Sequence, residues 1–392
     1  MSIRVWLLAL TTFVTGLAEN ITVGILPALS GGLHVTLGVA GQLTTIFSLG
    51  FAAAAPAAPL FAGRWPLRNV LGGALLLFAL CNVAAALAPG YEVLLAARIG
   101  MAAASALTCW AATLLATRLV PAAYRGRAIG VIFMGISGSL VLGVPVGMLL
   151  AEALGWRSVF AGLAGLACVA LCVTRPGLPD WRGGERIAAS VYVRHLRDGR
   201  LAGAQAVSVL MIAGHFTVFA YLAPYAVRVA MVPEAWLALL FAAFGVAGVS
   251  GGYLGGWLAD ALGPRRAVVL TPLLYLSSLL ALPWCASTPW AFVPAMMVWG
   301  GLSWMISPVV QSYLAAAGPA TLQAGLSLNL SAMHLGVGLG TAAGGLVVTY
   351  ASLSSVPWTG VALAAVAVIC AAWAARSTNP GRGAEDAAVV RK

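Results

Sequence analysis

From Val5 to Ala375 the sequence runs as a succession of apolar stretches, parted by short segments rich in Pro, Gly and Arg. A helix of roughly 20 such residues spans the hydrocarbon core of a bilayer, and in lipid a helix satisfies all of its own backbone hydrogen bonds. The stretches place twelve membrane-spanning helices at about 5–29, 39–61, 69–88, 91–115, 128–151, 156–174, 201–229, 235–259, 267–287, 289–315, 323–350 and 356–375. Composition agrees: 61% of the 392 residues are apolar and 8% charged, against about a quarter charged in soluble domains. An all-α integral membrane protein is the expectation. The first run is longer than the 7–15 residues of a signal-peptide core, so it is read as a span.

Arginine placement sets the orientation. Of the 21 Lys and Arg residues, all but Arg98, Arg157 and Arg228 fall in the N-terminal segment, the even-numbered connections or the C-terminal tail. By the positive-inside rule both termini are cytoplasmic. The net charge of +11 then reflects topology and attraction to anionic lipid, and no nucleic acid partner is expected. The six cysteines, Cys81, Cys109, Cys168, Cys172, Cys285 and Cys370, form no C-x-x-C pair and have no His at ligand spacing, so no metal is expected.

The longest polar connection, residues 175–200, separates two sets of six spans: 1–174 and 201–375, with a cytoplasmic tail at 376–392. The halves echo each other. "FAGRWPLRNVL" after span two matches in place "GGWLADALGPRRAVVL" after span eight, and Gly-rich span five, "GISGSLVLGVPVGMLL", matches "HLGVGLGTAAGGLVV" in span eleven. Two pseudo-symmetric six-helix bundles joined by a cytoplasmic linker are the organisation of a transporter whose halves rock about a midplane site.

Helical phase points to that site. Thr12, Thr15, Glu19 and Thr22 in span one are spaced as one stripe, with Asn20 on the adjoining face. Polar faces recur at Gln205, Ser208 and His215; at Ser303, Ser307 and Gln311; at Ser327, Ser331, His334 and Thr341; and at Arg98, Ser105 and Thr108. Spans six and twelve are apolar all round and spans three and nine nearly so, as lipid-facing helices should be. Pro27, Pro224 and Pro308 are expected to kink pore-lining helices. Glu19 is the only acid deep within any expected span. An ionised carboxylate at that depth costs on the order of 3 kcal/mol without a partner, which makes Glu19 the principal candidate for proton coupling, followed by His215 and His334. Arg98 is a possible fixed partner for it. Asn20, Thr15, Trp110, Tyr221, Trp304, Ser307, Gln311, Ser331 and His334 are the candidate solute ligands, a set of hydroxyl, amide, imidazole and ring groups suited to a flat, neutral, hydrogen-bonding molecule. An intramembrane enzyme would carry paired groups such as H-E-x-x-H, and none is present. A channel would share the polar faces; saturable, proton-dependent flux separates the two readings.

The chain resembles a known family. "GGWLADALGPRR", "RAIGVIFMGISGSLVLGVPVGMLL" and "GHFTVFAYLAPY" look like the twelve-span drug:proton antiporters of the major facilitator superfamily. Within that branch "GLAENITVGILP", "RAIGVIFMG" and "GLSLNLSAMHLGVGLG" look most like bacterial purine base and nucleoside efflux pumps. The resemblance implies the major facilitator fold, efflux across the bacterial inner membrane by a monomer, and the proton gradient in place of a cofactor. It puts the cytoplasmic-gate signature on Gly256, Asp260, Gly263, Arg265 and Arg266, the span-four signature on Arg98 and the antiporter signature on Gly143, Pro145 and Gly147. Gly63 stands where the first-half loop signature carries Asp, and His334 where similar pumps often show Asn.

Overall fold

A computed structural model describes residues 2–62, 64–121, 124–182 and 188–376 of the chain. Among them, 12 helices are long and apolar enough to cross a membrane. The first half comprises α1 (Ile3–Gly24), α2 (Leu26–Leu33), α3 (Leu37–Ala62), α4 (Leu67–Ala86), α5 (Tyr91–Arg118), α6 (Arg125–Leu154) and α7 (Trp156–Thr174). After the linker helix α8 (Ala189–Arg197) come α9 (Gly199–Phe219), α10 (Leu222–Arg228), α11 (Leu237–Leu262), α12 (Pro264–Cys285), α13 (Pro289–Trp304), α14 (Ile306–Ala317), α15 (Leu322–Tyr350) and α16 (Val356–Arg376).

Three expected spans are broken, each just before a proline. Span one divides at Ile25 ahead of Pro27, span seven at Ala220 and Tyr221 ahead of Pro224, and span ten at Met305 ahead of Pro308. The pyrrolidine ring would strike the carbonyl four residues back and offers no N–H, so the helix restarts with proline in its first turn. Pro145, Pro272, Pro283 and Pro294 stay inside α6, α12 and α13 without breaking them.

Within the first half α1 packs on α6, and α4 on α5 and α7; within the second, α9 packs on α15 and α16, and α11 on α13. The halves meet along two seams, α3 against α15 and α6 against α11. Span two thus meets span eleven, and span five meets span eight, the exchange expected of a twofold-related pair of bundles. Close approach at the second seam needs glycine: a Cβ on Gly245 would lie 2.6 Å from Val141 Cα. At the Arg-poor end a cluster of Leu26, Ala40, Ala220 and Tyr221, with Val348 and Leu353 against it, joins α2, α3, α15 and the break between α9 and α10 and seals the bundles together. Toward the Arg-rich end a cavity of about 450 Å³ opens beside the α3–α15 seam, walled by Leu49 and Ala52 of α3, Gln205 of α9, Leu328, Ser331 and Leu335 of α15 and Leu196 of the linker.

The linker is fastened to both halves. Leu67 N–H donates to Trp181 O at 2.7 Å, and Arg118 Nη1 to Arg182 O at 2.6 Å, so the linker lies against the foot of α4 and α5. Further on, buried His195 in α8 bridges to the second half: Nδ1 lies 2.9 Å from Thr321 Oγ1 and Nε2 3.2 Å from Gln205 Nε2. The amide can only donate, so Nε2 accepts, the proton sits on Nδ1 and the ring is neutral. Burial holds His195 below the ordinary imidazole range, with Asp198 opposing the shift.

Candidate solute and proton site

Glu19 sits on α1, the half-buried member of a stripe whose threonines are otherwise occupied. Thr15 Oγ1 donates to Thr11 O at 3.1 Å and Thr22 Oγ1 to Ala18 O at 3.4 Å, while Thr12 Oγ1 also reaches Ile132 O of α6 at 3.1 Å. Buried Asn20 turns back on its own helix, its Nδ2 3.3 Å from Gly16 O. These hydroxyls and this amide satisfy themselves on nearby carbonyls, which leaves Glu19 as the group on the stripe that looks outward.

What it meets is His334 of α15, in the other half of the molecule. Glu19 Oε1 lies 3.4 Å from His334 Nε2, with the side chains 15% and 11% exposed. Phe51 of α3 stacks on the imidazole at 3.7 Å between centroids and 7° between planes. His334 Nδ1 is 2.9 Å from Leu330 O, a carbonyl that can only accept, so Nδ1 carries a proton and Nε2 faces the carboxyl. A neutral imidazole and a carboxylate would set lone pair against lone pair there. The contact therefore requires a proton between them, carried by either the acid or the imidazole. Ser331, one turn earlier on the same face of α15, lines the cavity toward the Arg-rich end.

Arg98 is fully buried on α5; two of its nitrogens are held elsewhere, and Nη2 has no hydrogen-bond partner among the described residues. Its Nη1 donates to Ala18 O at 2.6 Å and its Nε to Leu43 O at 3.0 Å, with the guanidinium 4.3 Å above the Phe47 ring. It ties α1, α3 and α5 together through backbone carbonyls. Among the described residues the side chain in contact with Glu19 is His334, while Arg98 senses the carboxyl as a nearby charge without touching it.

His215 occupies a separate compartment of the second half. Its Nδ1 is 2.9 Å from Ser303 Oγ, which itself donates to Trp299 O at 2.7 Å, so Nδ1 is the protonated nitrogen and buried Nε2 has no partner among the described residues. Aromatic rings enclose it: Trp299 at 4.9 Å, Phe219 at 5.1 Å, Phe244 at 5.8 Å and Trp304 at 6.2 Å between centroids. The Trp304 indole N–H is likewise buried with no partner among the described residues. Ser307 and Gln311 bond each other along α14, Nε2 to Oγ at 3.0 Å. Tyr221 belongs to the sealed end, where its hydroxyl donates to Thr341 O at 3.1 Å, and Trp110 packs with Val5, Leu71 and Leu115 away from the cavity. Glu19, His334 and Ser331 are thus gathered at the bundle interface, His215 and Trp304 form a second group, and Tyr221 and Trp110 lie apart.

The signature residues divide similarly. Gly143 faces Leu17 of α1, where a Cβ would come 2.5 Å from Leu17 Cδ2, and Gly147 faces Ile21, so both glycines belong to the α1–α6 contact inside one bundle, while Pro145, two residues from each, lies on another face of α6. Gly256 has open space around it, Asp260 is exposed and forms no ion pair among the described residues, and Arg265 Nε donates to Ala375 O at 2.7 Å. Gly63 lies outside the described residues. Five residues beyond it, Arg68 finds an acid in the linker, Asp180 at 3.8 Å. Both side chains are well exposed, so the pair adds little stability.

Two participants escaped the sequence reading. Phe51 is one aromatic in an apolar run and gives no signal of its own. Asn329 did give one, an amide between Ser327 and Ser331: buried in α15, it donates to Gln205 Oε1 at 3.1 Å and Ser208 Oγ at 2.8 Å, joining α15 to α9 and, through Gln205, to His195.

Two six-helix bundles, seamed span two to span eleven and span five to span eight, with a titratable pair across the interface, define a membrane transporter. The Major Facilitator Superfamily profile matches residues 8–325 and 237–390. The chain belongs to that superfamily. It is 31% identical over 379 residues to the chloramphenicol resistance protein of Streptomyces lividans, covering 95% of this chain and 96% of that one. It is 30% identical over 366 residues to the MFS-type transporter YbcL of Bacillus subtilis (93% and 94% covered). A bacterial homolog of the human lysosomal transporter Spinster, solved inward-facing and occupied, superposes with a TM-score of 0.75 at 17% identity over 95% of this chain and 96% of that one.

Proposed function

We propose that the protein exports a small amphipathic solute carrying a flat ring in exchange for protons, by alternating access, as a monomer in the bacterial inner membrane with both termini cytoplasmic. The observation that carries this reading is the Glu19–His334 contact. It needs a proton between its partners, and it joins the two bundles whose relative motion would open one side or the other. Loss or transfer of that proton weakens the contact and lets the bundles part; a solute and a proton can then take turns in stabilising the site. No cofactor enters: the proton gradient supplies the energy. The chloramphenicol resistance protein of Streptomyces lividans favours an amphenicol as the solute. A purine base or nucleoside offers a similar flat polar ring and belongs in the same screen.

The test uses purified protein in proteoliposomes, with radiolabelled chloramphenicol, adenine and adenosine each offered under an imposed pH gradient. Saturable transport that follows the gradient and collapses with a protonophore is expected. Glu19→Gln should retain solute binding and lose gradient-driven transport. Wild-type transport indifferent to the gradient, or full gradient-driven transport by Glu19→Gln, overturns the coupling assignment.

A further inference from the structure

At the Arg-rich end of the second bundle, away from the bundle interface, a cavity of about 570 Å³ opens between the start of α12 and the end of α16. Two kinds of residue line it: Arg265, Arg266 and Arg376, and the apolar Val269, Leu270 and Leu273. We propose that this cavity binds the head group of an anionic phospholipid of the cytoplasmic leaflet, with the phosphate among the three arginines and an acyl chain along Val269 and Leu273.

Uncompensated charge is the first argument. Arg265 and Arg266 stand in the first turn of α12, where the helix dipole is already positive and an acid is the usual occupant, yet that turn has none. Arg376 adds a third cation from the last turn of α16. Among the described residues no carboxylate forms an ion pair with any of the three. Arg265 has a structural task besides: its Nε caps Ala375 O while the Tyr313 hydroxyl caps Ala374 O, 2.8 Å away, so the end of α16 and the start of α12 are held together and the cavity has fixed edges.

The second argument is where the cavity lies. α12 and α16 are spans nine and twelve, the apolar, lipid-facing helices of this half, and Leu273 and Leu274 are about 40% exposed to whatever surrounds the bundle. Val269 and Leu273 are four residues apart and continue the cavity wall along one face of α12, one turn and then two below the arginines. A free phosphate would use the arginines alone. A phospholipid uses both walls, and a basic pocket between spans on the cytoplasmic side matches its anionic head.

Native mass spectrometry of the full-length protein, released from nanodiscs of phosphatidylcholine and phosphatidylglycerol, tests this. One phosphatidylglycerol should be retained in preference to phosphatidylcholine. A factor of about five per arginine near an anionic lipid predicts roughly 25-fold weaker retention in Arg266→Gln/Arg376→Gln, which spares the Arg265 cap. Leu273→Gln should weaken lipid retention while leaving the arginines in place. Equal retention of the two lipids by the wild type, unchanged retention in the double variant, or displacement of phosphatidylglycerol by millimolar inorganic phosphate would each overturn the proposal, the last in favour of a free-phosphate site. Should the double variant fail to fold, photo-crosslinking of an acyl-diazirine phosphatidylglycerol to the wild type decides: label on 265–273 or 371–376 supports the site, and label confined to other helices refutes it.

Discussion

The contact between Glu19 and His334 is open to a quantitative test of whether it fastens one bundle to the other. The perturbation is a double-mutant cycle of Glu19→Gln, His334→Gln and the two combined. With the shared proton on the imidazole, the unit charges at the 3.4 Å separation of Oε1 and Nε2 attract by about 5 kcal/mol in an effective dielectric of 20. Withdrawing both from water takes back several kcal/mol, less here than for a sealed pair because the side chains keep 15% and 11% of their exposure. The stacked Phe51 ring limits the freedom of the imidazole, so little side-chain entropy is left to lose on pairing. A net coupling of about 2 kcal/mol is expected, close to thirtyfold in an equilibrium constant. Reversible unfolding in mixed detergent micelles, read by tryptophan fluorescence, measures each corner of the cycle. The double variant should be more stable than the sum of the single losses predicts. Additivity within about 0.4 kcal/mol, the scatter of independent sites, refutes the reasoning, because two groups that do not sense each other cannot share a proton between the bundles.

Other outcomes follow from the same geometry. Gly251→Ala should destabilise by about 2 kcal/mol in that assay, since its Cβ would lie 2.9 Å from Gly301 Cα and push α11 off α13, whereas Gly252→Ala, with open space around it, should be neutral or slightly stabilising; equal effects at the two positions would contradict the packing. His195 is held neutral in the folded chain, below its unfolded value of about 6.5, so the unfolded state binds more protons and the docking of α8 is at full strength above that pH and weakens as pH falls through and below it. Hydrogen exchange of residues 189–197, corrected for intrinsic rates, should show protection falling between pH 7.5 and 5.5 and a flat profile in His195→Gln; protection that rises on acidification rules the neutral latch out. Cysteines placed at Gly183 and Gly31 test the orientation, with the first expected to react with an impermeant maleimide only after permeabilisation and the second in intact cells; the reverse pattern inverts the topology.

Much of this molecule is written locally. Twelve spans follow from hydropathy because a lipid-exposed segment must be apolar along its whole length, and the breaks ahead of Pro27, Pro224 and Pro308 follow from the missing N–H and the ring clash, both properties of a few adjacent residues. Glu19 announced itself for the same reason, since an acid at that depth is expensive wherever its partner is. The partner itself was not legible. Arg98 and His334 both stood on polar faces in the sequence, and only the rotation of α5 gives Arg98 to the carbonyls of Ala18 and Leu43, while the α3–α15 seam carries His334 and Phe51 to the carboxyl. Likewise Gln205, Ser208 and His215 share one helix face in the sequence, yet the first two answer to Asn329 on α15 and the third to Ser303 on α13, because neighbouring helices divide the face between them. Periodicity fixes which way a side chain points from its own axis; what it meets there depends on the positions of other helices, and those are set by packing summed over both bundles.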